Sequence, residues 1–233
     1  SELLNSNKDH FKIFKQASSV AKSLNTKVYI VGGYVRDIIL NNPLKDLDLM
    51  VENNSEEFAN LLAKALKVNT VIKFEKFYTY RIPYEITEIE IAAARKETYN
   101  SSSRKPEKVT LTSIEEDLSR RDFTINALAV SISDKNFGEL YDPLNGMHDL
   151  NKGNLITPKD PDTTCSDDPL RILRAIRFAT TLKFNIDRLI LESIKKQKDR
   201  IKIVSSERIT IEIIKILSSD KPSIGFYYLK DTG

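Results

Sequence analysis

The spacing of apolar residues predicts that helices and strands alternate through the first part of the chain. Asn7–Leu24 repeats its apolar residues with the helical period, Tyr34–Leu40 predicts a short helix, and Ser55 is expected to cap a helix that ends near Lys67. Shorter segments rich in β-branched and aromatic residues predict strands. These segments are Lys27–Val31, Asp46–Val51, Val68–Phe74, Phe77–Pro83, Ile86–Ala94 and Leu128–Ile132.

The pattern changes after the turn-rich segment Asp142–Gly146, and from Pro169 onward nearly every residue follows a helical period. We therefore predict an α+β protein with a mixed-sheet domain over residues 1–150 and an all-helical domain over residues 151–233. Tyr99–Lys108 is polar, contains three consecutive serines and has no apolar periodicity. It is predicted to be a mobile loop that acts as a lid or contacts nucleic acid.

Composition narrows the class of protein. The 233 residues are 40% hydrophobic and 30% charged, which is typical of a soluble chain with a sizeable core. Cys165 is the single cysteine, and the first residues lack the apolar run of a signal peptide, so the sequence indicates the cytoplasm. No run approaches the ~18 to 20 apolar residues of a spanning helix, so no membrane partner is expected. No pattern predicts an oligomeric state.

Charge is distributed unevenly along the chain. Asn151–Gly233 contains 16 Lys and Arg against 11 Asp and Glu, a net charge of +5, whereas the preceding residues have a net charge of −2. Within this part, Arg171–Lys215 holds 12 basic residues against 5 acidic ones. Such a surface attracts phosphate-bearing ligands, although a solvated helical surface has the same composition.

Two adjacent glycines follow the first predicted strand. Gly32 and Gly33 stand between the apolar run ending at Val31 and the helix that contains Arg36. Glycines let a backbone approach a phosphate closely, and an ordinary tight turn is the alternative. The third glycine of a dinucleotide fingerprint and the Gly-Lys-Ser/Thr of a P-loop are both absent, so neither of those sites is predicted.

Two carboxylates alternate with leucines in the second predicted strand. Strand alternation places Asp46 and Asp48 on one face, where they repel each other. A divalent cation would relieve that repulsion, whereas a solvent-facing edge would tolerate it. Glu88 and Glu90 share one face of a later strand, and either could supply a third carboxylate.

The helical part opens with an Asp-Pro pair. Asp168 is expected to cap a helix with Pro169 in its first turn. Arginines at every third position then advance along one side of the helix, next to an apolar stripe, and form a ridge suited to phosphates or base edges. The arginines are Arg171, Arg174 and Arg177, and the stripe is Leu170, Leu173 and Ile176.

Together with the string Arg-Arg-Asp-Phe-Thr-Ile-Asn-Ala-Leu at 120–128, these motifs resemble the class II tRNA nucleotidyltransferases and the related bacterial poly(A) polymerases. The resemblance runs from the Gly-Gly turn to Glu207-Arg208, with five motifs in the family's order. It implies a nucleotidyltransferase head followed by a helical neck, and relatives continue into further helical domains after the part that this chain matches. Asp167 stands where the family usually has Glu, so no contact is assigned to it.

The resemblance also implies roles for individual residues. Asp46 and Asp48 match the pair that binds Mg²⁺, and Glu90 matches the third carboxylate of the catalytic site. The matched nucleotide-binding positions are Gly32, Gly33, Arg36, Arg121, Asp122, Asn126, Asp168, Arg171, Arg174 and Arg177.

The reaction implied is two-metal addition of CMP and AMP, from CTP and ATP, to the 3′ end of tRNA. Cytosine and adenine both present an acceptor ring nitrogen beside a donor amino group, so Asp168 and Arg171 together could accept both bases and reject U and G. Poly(A) addition by the same site and a catalytically silent RNA-binding module are the alternatives. Three clustered carboxylates argue against the silent module.

Overall fold

The computed structural model describes Leu4 and residues 7–44, 46–85, 87–100 and 103–233, with the backbone alone for 97–100 and 103–108. The chain forms two compact units that interleave along the sequence. The first comprises Ser1–Lys96, Val109–Leu118 and Asn126–Pro143, and the second comprises Glu97–Lys108, Ser119–Ile125 and Leu144–Gly233. The division into two functional domains with a single boundary near residue 150 stays a prediction.

The part of the chain that the structure describes contains nine strands before residue 142: β1 Val28–Val31, β2 Leu47–Val51, β3 Ile72–Phe74, β4 Thr79–Tyr84, β5 Thr87–Ala93, β6 Arg95–Asn100, β7 Ser103–Leu111, β8 Ala129–Ser131 and β9 Leu140–Tyr141. All but β6 and β7 form one seven-stranded sheet in the order β3-β4-β5-β2-β1-β8-β9. β2 and β5 pair in parallel, and the other neighbours pair antiparallel. The sheet is therefore mixed, as predicted.

The prediction of a loop over Tyr99–Lys108 is wrong for the residues that are described, whereas the mobility of this segment and its role as a lid or nucleic-acid contact stay predictions. β6 and β7 form a separate two-stranded sheet, and the intervening Ser101 and Ser102 lie outside the described residues. Two strands satisfy each other's backbone groups without an apolar face, so this polar segment carries no periodicity that would reveal them.

Among the described residues before position 120, four α-helices accompany the strands: α1 Lys8–Ser23, α2 Gly33–Ile39, α3 Ser55–Ala65 and α4 Ile114–Ser119. Asn7 caps α1, since its Oδ1 accepts hydrogen bonds from the backbone N–H groups of Asp9 and His10 at 3.1 and 3.0 Å. The predicted cap of α3 is wrong by one residue. Ser55 is the first helical residue, and Asn54 precedes it in the left-handed conformation, which asparagine tolerates.

The second unit consists mainly of helices: α5 Gly146–Lys152, α6 Pro161–Asp167, α7 Leu170–Leu182, α8 Arg188–Gln197, α9 Ser206–Leu217 and α10 Pro222–Thr232. A parallel pair of two-residue strands, β10 Asn154–Leu155 and β11 Asn185–Ile186, adds to the predicted helices. The apolar stripe of α7 is buried as predicted, and Leu170 and Leu173 pack with Val204. No helix within the described ranges is long and apolar enough to cross a membrane.

Candidate active site

Two of the three predicted catalytic carboxylates lie side by side on the sheet. Asp48 on β2 is the direct register partner of Glu90 on β5. Leu47 and Leu49 on either side of Asp48 are fully buried, whereas Asp48 is half-buried, so the carboxylates occupy the opposite face. Asp46 is exposed and lies one residue before β2 begins.

The Gly-Gly turn begins beside these carboxylates. Ile30 pairs with Leu49, and the same register continued by one residue places Val31 opposite Asp48, immediately before the turn. Gly32 has φ 71°, which an L side chain rarely adopts. A Cβ on Gly33 would lie in ordinary van der Waals contact with Arg36 Nη2, at 3.4 Å, so Gly33 stands directly beside the guanidinium.

Arg36 is buried and is held by two side chains. Its Nη1 donates to Asn126 Oδ1 at 2.6 Å, while Nε and Nη2 donate to the two carboxylate oxygens of Asp37 at 3.0 and 2.8 Å. The structure thus brings together Gly33, Arg36 and Asn126, which the sequence predicts as nucleotide contacts. The sequence did not predict Asp37 as a partner of Arg36. Adjacent residues on a helix do not normally face each other, so their spacing gives no indication of this contact.

Glu90 has a cationic partner that the sequence reasoning also missed. Arg81 on β4 is the register partner of Glu90, and its Nε donates to Glu90 Oε2 at 3.0 Å. Its Nη1 lies 3.3 Å from Glu88 Oε1. Strand alternation could have placed Arg81 on this face, but the pairing of β4 with β5 was needed to set it opposite Glu90.

Carboxylate oxygens are the ligands that Mg²⁺ prefers, so the chemistry of Asp46 and Asp48 fits this ion. Within the described ranges, no group of three or more His, Cys, Asp and Glu side chains is arranged to hold a metal ion. Glu90, the third predicted carboxylate, faces the guanidinium of Arg81. This pairing explains in part why no group of three metal-binding side chains is found. The donor set therefore fits a cation held by the two aspartates.

In the second unit, Asp122 and Arg174 bind each other. Arg174 Nε donates to Asp122 Oδ2 at 2.7 Å, and the Asp122 side chain is 8% exposed. Burial by itself lowers the pKa of Arg174, but the carboxylates of Asp122, Glu212 and Asp168, with Asp122 foremost, together offset this effect and the pKa is raised. Two predicted nucleotide contacts therefore meet as an oriented ion pair.

The predicted cap of α7 is wrong by one residue: Pro169 is the N-cap, and the preceding Asp168 accepts a hydrogen bond at Oδ1 from the Leu170 N–H at 3.2 Å. Its Oδ2 lies 3.6 Å from Arg208 Nη2. Arg171 is anchored on the backbone, with Nη2 donating to the Arg120 carbonyl at 2.7 Å. Arg121, the next residue, is half-buried. These contacts hold the side chains of Asp168 and Arg171, the predicted base-reading pair, in place within the second unit.

Arg177 differs from its neighbours on the ridge because it forms an ion pair with buried Glu212 on α9. Its guanidinium lies 3.8 Å from the centre of the Phe178 ring. Burial and the nearby Arg174 lower the pKa of Arg177. A nucleotide contact by Arg177 stays a prediction. Glu212 was missed, although an acid within the isoleucine-rich pattern of α9 was the available signal.

Two family models match the chain. The poly A polymerase head domain matches residues 28–156, and the model described as "Probable RNA and SrmB- binding site of polymerase A" matches residues 183–233. The first covers more than half of the chain and includes the carboxylates, the Gly-Gly turn and Arg36.

Similar curated proteins differ in the nucleotides that their names record. An A-adding tRNA nucleotidyltransferase of Aquifex aeolicus is 44% identical over 162 residues, 70% of this chain and 19% of that protein. A CCA-adding enzyme of Enterococcus faecalis is 34% identical over 88% of this chain and 49% of its own length. A CC-adding enzyme of Shouchella clausii is 32% identical over 95% of this chain and 53% of its own length. The chain thus spans about half the length of the last two, and less of the first.

Solved structures agree over nearly the whole chain. A Thermotoga maritima CCA-adding enzyme complexed with tRNA has a TM-score of 0.85 at 30% identity and covers 99% of this chain and 53% of its own. A CCA-adding enzyme complexed with ATP has a TM-score of 0.86 at 31% identity and covers 100% of this chain and 53% of its own. These likenesses confirm the predicted fold of a mixed-sheet head and a helical region. The chain belongs to the family of class II CCA-adding tRNA nucleotidyltransferases and poly(A) polymerases.

Proposed function

We propose that this protein is a template-independent RNA nucleotidyltransferase that adds CMP and AMP, from CTP and ATP, to the 3′ end of tRNA in the cytoplasm. The observation that carries this proposal is the pairing of Asp48 with Glu90 on adjacent strands, next to the Gly-Gly turn. A silent RNA-binding module has no need for carboxylates in register beside a Gly-Gly turn. Relatives named for CCA addition, and a relative complexed with tRNA, support the choice of substrate.

In the proposed reaction, the RNA 3′-hydroxyl oxygen attacks the α-phosphorus of the nucleoside triphosphate. A new P–O bond forms, the bond to the β-phosphate breaks, pyrophosphate leaves, and the hydroxyl proton passes to solvent. Mg²⁺ held by Asp46 and Asp48 would supply Lewis-acid activation of the hydroxyl and charge neutralisation of the pyrophosphate. Arg36 donates to phosphate oxygens, and Asp37 and Asn126 fix its orientation for that contact.

The second unit supplies the proposed choice of base. Asp168 presents an acceptor and Arg171 a donor, the pattern that cytosine and adenine both complement. Arg121, Asp122 and Arg174 are proposed to contact the ribose and phosphates. The Asp122–Arg174 pair leaves the arginine charged and oriented before the nucleotide arrives.

Addition of AMP alone is the second candidate, because the similar Aquifex aeolicus protein is named for that activity. Transcripts of one tRNA that end before the CCA, after the first C and after the second C separate the candidates when each is incubated with CTP, ATP and Mg²⁺, one of the two nucleotides being labelled. CCA addition predicts incorporation of both nucleotides into the shortest transcript. AMP incorporation confined to the transcript ending in CC would favour the A-adding candidate, and a long homopolymer would favour poly(A) addition. No incorporation into any transcript would contradict the proposal.

A further inference from the structure

Three charged side chains form a row across one face of the sheet. Arg81 on β4 is opposite Glu90 on β5, and Glu90 is opposite Asp48 on β2. Directly opposed residues on adjacent strands project to the same face. From β4 toward the Gly-Gly turn, the row therefore consists of the Arg81 guanidinium, the Glu90 carboxylate and the Asp48 carboxylate.

The guanidinium of Arg81 is held from several sides. It contacts Glu90 at 3.0 Å and Glu88 at 3.3 Å, and it lies 5.2 Å from the centre of the Phe74 ring. Both carboxylates and the arginine are more than one third exposed, so the pairs contribute little to the free energy of unfolding. Stabilisation of the fold therefore does not account for an arginine at position 81. The effect of its charge and planar guanidinium on Glu90 accounts for it better.

We propose that Arg81 is a positioning residue for this nucleotidyltransferase site: it orients the Glu90 carboxylate and competes with the divalent cation for that carboxylate. The inference rests on the proposed function. A fixed positive charge at the end of the row weakens cation binding, because it repels the ion and occupies one lone-pair direction of Glu90. The guanidinium, which contacts Glu90 through Nε and Glu88 through Nη1, holds Glu90 in one orientation, and this favours turnover once the ion and the nucleotide are bound.

Two substitutions separate these effects. Arg81→Gln removes the charge and the planar guanidinium, so Mn²⁺ affinity should rise by roughly three- to ten-fold while kcat falls. Arg81→Lys keeps the charge and loses the planar guanidinium, so Mn²⁺ affinity should stay within about two-fold of wild type while kcat falls. Arg188→Gln is the matched control, because Arg188 is an exposed arginine paired with Glu192 on α8. It should change neither quantity.

Mn²⁺ binding is measured on the full chain by the loss of the free-ion electron paramagnetic resonance signal, without nucleotide, and kcat is measured separately at saturating Mn²⁺. Circular dichroism checks that each variant is folded. Unchanged Mn²⁺ affinity and kcat in Arg81→Gln, or weaker Mn²⁺ binding by this variant, would overturn the inference while leaving the proposed function intact. Absence of saturable Mn²⁺ binding by the wild-type protein would overturn the inference, whereas the proposed function is contradicted only by failure of nucleotide incorporation.

Discussion

At the scale of single residues, substitution of Asp48 is the most direct test of the proposed metal-binding role. It is half-buried next to Glu90, so replacing it removes a repulsion between neighbouring carboxylates. Asp48→Asn should therefore leave the thermal midpoint within about 3 °C of wild type while lowering nucleotide incorporation by more than about 100-fold. Glu57→Gln, an exposed carboxylate on α3, is the control. Retention of a tenth of wild-type activity at saturating Mg²⁺ would contradict the metal-binding role.

A second prediction at this scale concerns Asp168, which has both a capping contact and a proposed base contact. Asn caps a helix about as well as Asp, so Asp168→Asn should be nearly neutral in stability. The amide adds a donor, however, and should relax discrimination against UTP and GTP. Arg171→Ala should lower the use of CTP and ATP alike, because both lose a donor to the ring nitrogen. Ratios of kcat/KM for the four nucleotides provide the measurement, and unchanged ratios in both variants would return these residues to a structural role.

At the scale of elements, the Arg177–Glu212 pair joins α7 to α9. Both side chains are almost completely buried, so removing the acid leaves an uncompensated buried cation. Glu212→Ala should lower the free energy of unfolding by about 3–5 kcal/mol. Glu192→Ala, which breaks the exposed i,i+4 pair with Arg188, should cost less than about 0.5 kcal/mol. Equal urea midpoints for the two variants would show that the buried pair does not stabilise this packing.

The contact between α1 and α2 makes the stability of the first unit depend on pH. His10 is buried, and its Nδ1 lies 2.7 Å from the hydroxyl of Tyr34 on α2. Burial lowers the pKa of His10 below its ordinary value of 6.5, with Asp9 opposing part of the effect. The unfolded chain therefore binds the proton more readily, and stability is lost as pH falls below about 6.5. His10→Gln should reduce the difference between urea midpoints at about pH 7.5 and about pH 5.5; an unaltered difference would place the titration elsewhere.

At the scale of the whole molecule, the net charge of +5 after residue 150 bears on RNA binding. Each lysine that contacts a phosphate releases counterions, so affinity for tRNA should fall linearly with the logarithm of salt concentration. If exposed Lys198 makes such a contact, Lys198→Ala should weaken binding to all tRNAs alike and reduce the salt slope by about one. Lys12→Ala, at an exposed lysine in the acidic part of the chain, should leave the slope unchanged.

Local patterns predicted most elements within one to four residues of their observed ends, because burial of one face imposes a period on the sequence. The alternation in β2 and the buried stripe of α7 both follow from short-range rules. The polar strands β6 and β7 escaped prediction because they have no such period. The motifs at the glycines, the aspartates and residues 120–128 identified the family without any structure.

The sequence by itself determined the family, the candidate carboxylates and arginines, and the faces on which Asp48 and Glu90 lie. Tertiary structure alone decided which charges meet. Arg81 faces Glu90 because β4 pairs with β5, Arg174 meets Asp122 across 52 positions, and Arg177 meets Glu212 across 35. Strand register and helix packing bring such residues together over long separations, whereas sequence periodicity reports only the face that each one occupies.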